Sequence, residues 1–272
     1  QTILESIVPV TSEQCELSSL YDRVLAADVA APHDVPLFDN ASMDGYAIRS
    51  HDVASAQGSA NVPLTLQGKV RAGVEYQKDL SPFHAIRIMT GAPVPGGADA
   101  VIEQELVTAR NGSVSVAAPV DSGRNIRKRG EDVKAGTVVV RKGTRLKSAH
   151  VGVLASLGIV KPDVYRKPRI GFLTTGDELI GAQETPLPGQ IRNSNAYTLR
   201  GMIGEAGCEP ADLGSVPDDK EELKERINEG LAFDALITSG GVSVGEHDLV
   251  LGILKSLAVE ILFWKVNIKP GM

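Results

Sequence analysis

The rhythm of apolar and polar positions changes twice along the chain. Residues 12–27 place Leu17, Leu20, Val24 and Leu25 at helical spacing behind Thr11 or Ser12 as a cap, which predicts an opening amphipathic helix. From about 31 to 130 the texture becomes short alternating segments, such as Val62–Val70 and Ser113–Ala117, punctuated by Gly, Pro and Asp. Period-two alternation between turn formers predicts a β-rich domain. Thr137–Val140 then reads as a strand and Ser148–Gly158 as a short helix with a serine start and a glycine stop. If this segment returns onto the opening helix, the β domain is an insertion. The expected domains are 1–30 with 131–166 as a mixed linker domain, 31–130 as the inserted β domain, and 167–272 as an α/β domain.

Beyond residue 168 strands alternate with helices. Strands are expected at Arg169–Thr174, Glu209–Val216, Asp234–Ser239 and Val259–Val266, with helices near Asn195–Ala206, Asp218–Glu229 and His247–Leu257. That alternation predicts a parallel sheet with right-handed crossovers in three α/β layers, so the fold class is a multidomain α/β protein. Ligands of such sheets sit beyond the carboxyl ends of the strands. The polar groups fall there: Thr174–Glu178 after the first strand, Pro217–Asp219 after the second, Ser239–Asp248 after the third and Lys265–Lys269 after the fourth. The tract Gly181–Gly189 reads as a mobile loop over that rim.

Composition narrows the class of protein. A chain of 272 residues has ample core for two or three domains without crosslinks. Cys15 and Cys208 match neither a disulfide framework nor a zinc spacing, which points to a reducing, cytoplasmic setting. No apolar run approaches the ~18 residues that span a bilayer, and the start of the chain lacks a signal-peptide pattern, so no membrane partner is expected. A net charge of −6 argues against nucleic acid as a partner. The basic cluster Arg124–Arg129 is a local exception, read as a solvated or substrate-facing edge. The five histidines form no HExxH pattern and no evident triad, which argues against covalent catalysis.

The remaining chemistry is acidic and glycine-rich. Gly240 and Gly241 permit close approach of backbone N–H groups to a phosphate, Ser239 and Ser243 add hydroxyls, and Gly245 opens the next turn. An ordinary strand-to-helix turn is the plain alternative, but capping needs one acidic residue and Glu246 and Asp248 supply two. Glu178 and Asp248 from adjacent loops suit a Mg²⁺ whose shell is completed by phosphate oxygens and water. Asp177 and Asp218 also read as turn or helix caps, whereas Lys265 and Lys269 suit neutralisation of a polyanion. In the β domain, Asp44 before Gly45, the Gly- and Pro-rich loop that exposes Thr90, and the acidic turn at Asp132 are each weak signals alone.

Six ordered tracts carry a resemblance: Asn40–Ala47, Met89–Pro93, Arg129–Asp132, Thr175–Leu179, Ser239–Gly245 and Lys269–Gly271. Through them the chain resembles, over essentially its whole length, the molybdopterin molybdenumtransferase family of MoeA-like enzymes and gephyrin E-domains. The resemblance implies a homodimer, with the linker domain in dimerisation, in which the β domain of one subunit faces the pterin-binding α/β domain of the other. It implies insertion of molybdate into adenylylated molybdopterin with Mg²⁺-dependent release of AMP, and the preceding molybdopterin adenylyltransferase as a further partner. It assigns Asp44, Thr90 and Asp132 to the β side of the cleft and Glu178, Asp218, Asp248, Lys265 and Lys269 to the α/β side. Asp248, Glu178, Asp44 and Asp132 are then the catalytic group, with Glu178 and Asp248 on the metal; Ser239, Gly240, Gly241, Ser243 and Gly245 hold phosphate.

Two departures accompany the resemblance. The last motif of the family commonly ends in lysine where this chain has Met272, and family members continue into further strands and a small C-terminal β domain, so the α/β domain is expected to be incomplete here. Two other functions stay open: the adenylyltransferase itself, whose members lack the inserted β domain, and a gephyrin-like scaffold that binds peptides.

Overall fold

The computed structural model describes residues 5–57, 61–240 and 249–263. Two compact units share the chain: Gln1–Ala27 with Arg141–Met272, and Asp28–Val140. The first unit opens with strands β1 (Ser12–Gln14) and β2 (Val24–Leu25). The second supplies β3 (Gly45–Ile48), β4 (Val62–Val70), β5 (His84–Ile88), β6 (Ala100–Glu103), β7 (Val107–Arg110) and β8 (Ser113–Val116). Back in the first unit come helix α1 (Ser148–Ser156), strands β9 (Asp163–Tyr165) and β10 (Arg169–Thr175), and helix α2 (Ser194–Glu205). Strand β11 (Glu209–Val216), helix α3 (Lys220–Gly230), strand β12 (Ala235–Ser239) and helix α4 (Leu249–Ser256) follow. No helix among the described residues is long and apolar enough to cross a membrane.

The opening amphipathic helix is not formed. Residues 12–27 instead make β1, a single 3-10 turn at Leu17–Ser19, and β2. Asp22 sits at φ +65°, a left-handed conformation that no α-helix interior accepts. The backbone partners are distant: Asp22 N–H donates to the Leu146 carbonyl and Leu25 N–H to that of Thr144. Arg145 grips the Asp22 carboxylate through two bonds of 3.0 Å. Leu20 and Leu25 are fully buried, so the apolar spacing marks two inward points of a hook rather than one helical face. The segment after α1 does return to this hook, as the central strand of a sheet ordered β1-β9-β2. Helix α1 starts from Lys147, whose N–H donates to His150 Nδ1, rather than from a serine cap. Its glycine stop is present, with Gly158 at φ +71° and Ile159 N–H closing onto the Leu154 carbonyl.

The unit Asp28–Val140 is built on a six-stranded sheet ordered β6-β3-β5-β4-β8-β7, antiparallel except where β4 meets β5. Alternation sorts its apolar side chains to two faces. Tyr46, Ile48, Leu64, Ile102 and Val114 form one core, while Ala47, Ile86, Ile88 and Val101 form the other. Each large side chain buried this way contributes roughly 1.5–3 kcal/mol. The chain enters through Val29–Ala30 and leaves through Val138–Val140, and these two stretches pair antiparallel.

The α/β part of the first unit is a parallel sheet ordered β11-β10-β12. Neighbouring residues of β10 face opposite layers. The Arg200 guanidinium of α2 lies 6.0 Å from the Phe172 ring centre, while Leu173 packs with Leu223 and Ile227 of α3 and Val250 and Ile253 of α4. Both helix starts are capped: Asn193 Oδ1 accepts from Ala196 N–H, and Asp219 Oδ1 accepts from Glu221 and Glu222 N–H. Of the fourth expected strand, residues 259–263 carry no strand pairing and the rest lies outside the described residues.

Candidate functional site

The sheet order places the first strand, β10, in the middle, so the chain moves outward to β11 and then reverses to β12. Where the order reverses, the loops leaving β10 and β12 part, and this is where open α/β sheets take ligands. Strand β10 ends in two buried threonines, Thr174 and Thr175, and buried hydroxyls require partners. Thr174 Oγ1 accepts from Asn193 Nδ2 at 2.7 Å, and Thr175 Oγ1 donates to Asp218 Oδ1 at 2.8 Å. In return, Asp218 N–H donates to Asp177 Oδ1 at 3.0 Å. Two bonds therefore interlock the loops that follow β10 and β11.

The third exit is tied to the same corner. Ser239 Oγ accepts from Asn195 Nδ2 at 3.0 Å. Gly240 has φ +101°, and a Cβ there would collide with the Thr175 carbonyl oxygen, so both the conformation and the close approach require glycine. The exposed Glu178 carboxylate folds back against Gly176. Asp177, Glu178 and Asp218 thus offer hard oxygen donors of the kind Mg²⁺ prefers. Among the described residues no three His, Cys, Asp or Glu side chains are grouped as metal ligands. Gly241, Ser243, Gly245, Asp248, Lys265 and Lys269 lie outside the described residues.

The root of the Gly181–Gly189 loop faces a cleft of about 690 Å³, walled by Leu179 and Glu184, by Tyr197 and Arg200 of α2, and by Asp212 and Ser215 of β11. Arg200 is held there by Asp212 at 3.1 Å.

A second constellation lies in the unit Asp28–Val140. Asp44 Oδ1 accepts both the Thr90 N–H and the Thr90 hydroxyl, each at 2.7 Å. The Thr90 N–H, then its hydroxyl, and more weakly the charge of Arg87, hold the Asp44 carboxyl below its ordinary range. Gly45 follows without a side chain because a Cβ would collide with the Ile102 carbonyl of β6. Backbone bonds gather the neighbouring tracts: Gly91 N–H donates to the Ala41 carbonyl, Ala41 N–H to that of Ala92, and Asn40–Ala41 pairs with Ile126–Arg127. Asp132 joins through an ion pair with Arg127.

The basic cluster is solvated yet internally neutralised. Arg124 pairs with Glu103 at 3.0 Å, Arg127 with Asp132, Lys128 with Asp39 at 2.9 Å, and Arg129 with Asp34 at 2.7 Å. These cations fasten loops to one another, so the tract is not an open cationic surface. Composition alone shows the charges and not their partners.

Residues 1–158 match the family model for the MoeA N-terminal region (domain I and II), and residues 171–272 match that for the probable molybdopterin binding domain. The chain belongs to the MoeA family. It is 40% identical over 265 residues to the molybdopterin molybdenumtransferase of Haemophilus influenzae, covering 97% of this chain and 64% of that protein. Identity to the Bacillus subtilis protein of the same name is also 40%, covering 96% of this chain and 62% of the relative. The chain therefore spans less than two thirds of either relative. Among solved structures, a molybdopterin biosynthesis MoeA protein from Pyrococcus horikoshii superposes with a TM-score of 0.85 at 35% identity, over 94% of this chain and 65% of that one. Within this MoeA fold, sequence reasoning missed Asn193 and Asn195, because an Asn-Ser-Asn run before a helix reads as capping alone.

Proposed function

We propose that this chain is the greater part of a molybdopterin molybdenumtransferase, which inserts molybdate into adenylylated molybdopterin and releases AMP with Mg²⁺. One observation carries the reading: the carboxyl ends of the three parallel strands are pinned by hydrogen bonds, β10 and β11 to each other through Thr175–Asp218 and Asp218–Asp177, and β12 to the first turn of α2 through Ser239–Asn195. Such a rim fixes hydroxyls and backbone donors before a polyanion arrives, and preorganised donors are the largest contribution to stabilising developing charge.

In this reading Ser239, Gly240, Gly241, Ser243 and Gly245 bind the phosphates, while Lys265 and Lys269 neutralise them. Asp218 is held by Thr175 to orient the pterin nucleotide. Glu178 and Asp248 hold Mg²⁺, which when bound polarises phosphoryl oxygens. Asp44, kept ionised by Thr90, and Asp132 act from the β side of the cleft in a homodimer, with the adenylyltransferase that makes the substrate as a further partner. The setting is the cytoplasm, in keeping with free thiols at Cys15 and Cys208.

The test is incubation with adenylylated molybdopterin, molybdate and Mg²⁺, with AMP and metal-loaded pterin as readouts. The Glu178→Gln variant is expected to bind the pterin nucleotide while its AMP release falls about 100-fold, the scale of losing a metal-orienting carboxylate. Unchanged release by that variant removes Glu178 from the mechanism. Absence of AMP with the unmodified protein overturns the reading as a whole.

A further inference from the structure

Two asparagines flank Ser194 and reach different strands of the sheet. Asn193 Nδ2 donates to Thr174 Oγ1 at the end of β10, and Asn195 Nδ2 donates to Ser239 Oγ at the end of β12. Helix α2 already has its cap, since Asn193 Oδ1 takes the Ala196 N–H. Asn195 is exposed and adds nothing to the core, and asparagine is a poor helix former. Its bond to Ser239 is the contact that distinguishes it.

An amide NH₂ is a donor without acceptor character, whereas a serine hydroxyl is both. Asn195 therefore occupies a lone pair of Ser239 Oγ and leaves the one hydroxyl hydrogen to be given to another group. We infer that Asn195 is a positioning residue: it fixes the Ser239 hydroxyl as a hydrogen-bond donor to the phosphoanion of the substrate and holds the Ser239-Gly240 turn against the first turn of α2. Gly240 is already pressed against the Thr175 carbonyl, so the turn is bounded on both sides. This inference rests on the proposed function and adds a residue to the phosphate side of that site.

Steady-state AMP release from adenylylated molybdopterin, with molybdate and Mg²⁺, tests it in N195A, S239A and the double variant. Loss of one net hydrogen bond raises the KM of N195A about 5-fold with kcat changed less than about 2-fold. Because Asn195 acts through Ser239, the same substitution in the S239A background has an effect below about 2-fold. N195D is expected to be worse than N195A, since a carboxylate accepts the Ser239 hydrogen and repels an anion. Thermal midpoints report folding separately, and a collapse of the N195A midpoint would mark a purely structural role and overturn the inference. Equal effects of N195A in both backgrounds, or an unchanged KM, overturn it and leave the enzyme reading intact. If the unmodified protein releases no AMP, that reading fails and this inference fails with it.

Discussion

Thr175 and Asp218 stand 43 residues apart in sequence, and the Thr175 hydroxyl donates to the Asp218 carboxylate at 2.8 Å. Thr175 is buried at the end of the central strand, so the bond locks a core position to a rim carboxylate. Hydrogen bonds to charged groups contribute about 1.5–3 kcal/mol net. Thr175→Val is expected to lower stability by about 1.5 kcal/mol in urea unfolding. In a cycle with Asp218→Ala, the two changes should couple by about 1 kcal/mol. Zero coupling would show that the bond contributes nothing.

Asp234 gives a second prediction, in acid. Arg166 holds its carboxylate through both terminal nitrogens, at 2.5 and 2.6 Å, and Arg169 N–H adds a bond at 2.8 Å. The Arg166 bond, then the Arg169 N–H, hold the Asp234 carboxyl well below the usual carboxylate range. A group depressed on folding contributes stability above its unfolded pKa, near 3.9, and loses it as pH falls through the folded value. The Asp234→Asn variant should therefore lose stability at pH 7 and show a flatter decline below about pH 4. Parallel acid limbs in urea midpoints would contradict this.

Asp44 offers a direct titration test. Thr90→Val removes the hydroxyl donor and keeps the backbone N–H, which is the stronger of the two influences. Carboxyl carbon NMR should show the Asp44 pKa rising part of the way toward its ordinary value. An unmoved titration would mean that the hydroxyl bond is not formed in solution.

Two glycines in the α/β part should respond oppositely to alanine. Gly240→Ala meets a left-handed φ and the Thr175 carbonyl together, and should cost about 3 kcal/mol or more. Gly201, inside α2 with open space where an alanine methyl would stand, should gain up to about 1 kcal/mol. Calorimetric midpoints that move together would refute the contrast.

Much of the α/β part was legible because each element is announced by local chemistry. Strand Glu209–Val216 is found as expected, and Asn193 and Asp219 cap helices near the predicted starts. The opening hook was misread because the helical spacing of Leu17, Leu20, Val24 and Leu25 also arises when a chain bends toward one core twice. Its cause, Asp22 held left-handed by Arg145, Lys147 and the Leu146 carbonyl, comes from more than a hundred residues away. The acidic groups of the site were visible as residue types, but the bonds that fix them, Thr175 to Asp218 and Thr90 to Asp44, join tracts that no local window spans.

Val29–Ala30 lies antiparallel to Val138–Val140, so the chain leaves the unit Asp28–Val140 beside the place where it came in. A segment bounded in this way behaves as a cassette. Its interior can lengthen, shrink or be exchanged while the gap that the flanking chain must bridge stays near one strand spacing, about 5 Å. Residues 28 and 140 are thus natural splice points, at which this sheet can be grafted elsewhere or removed.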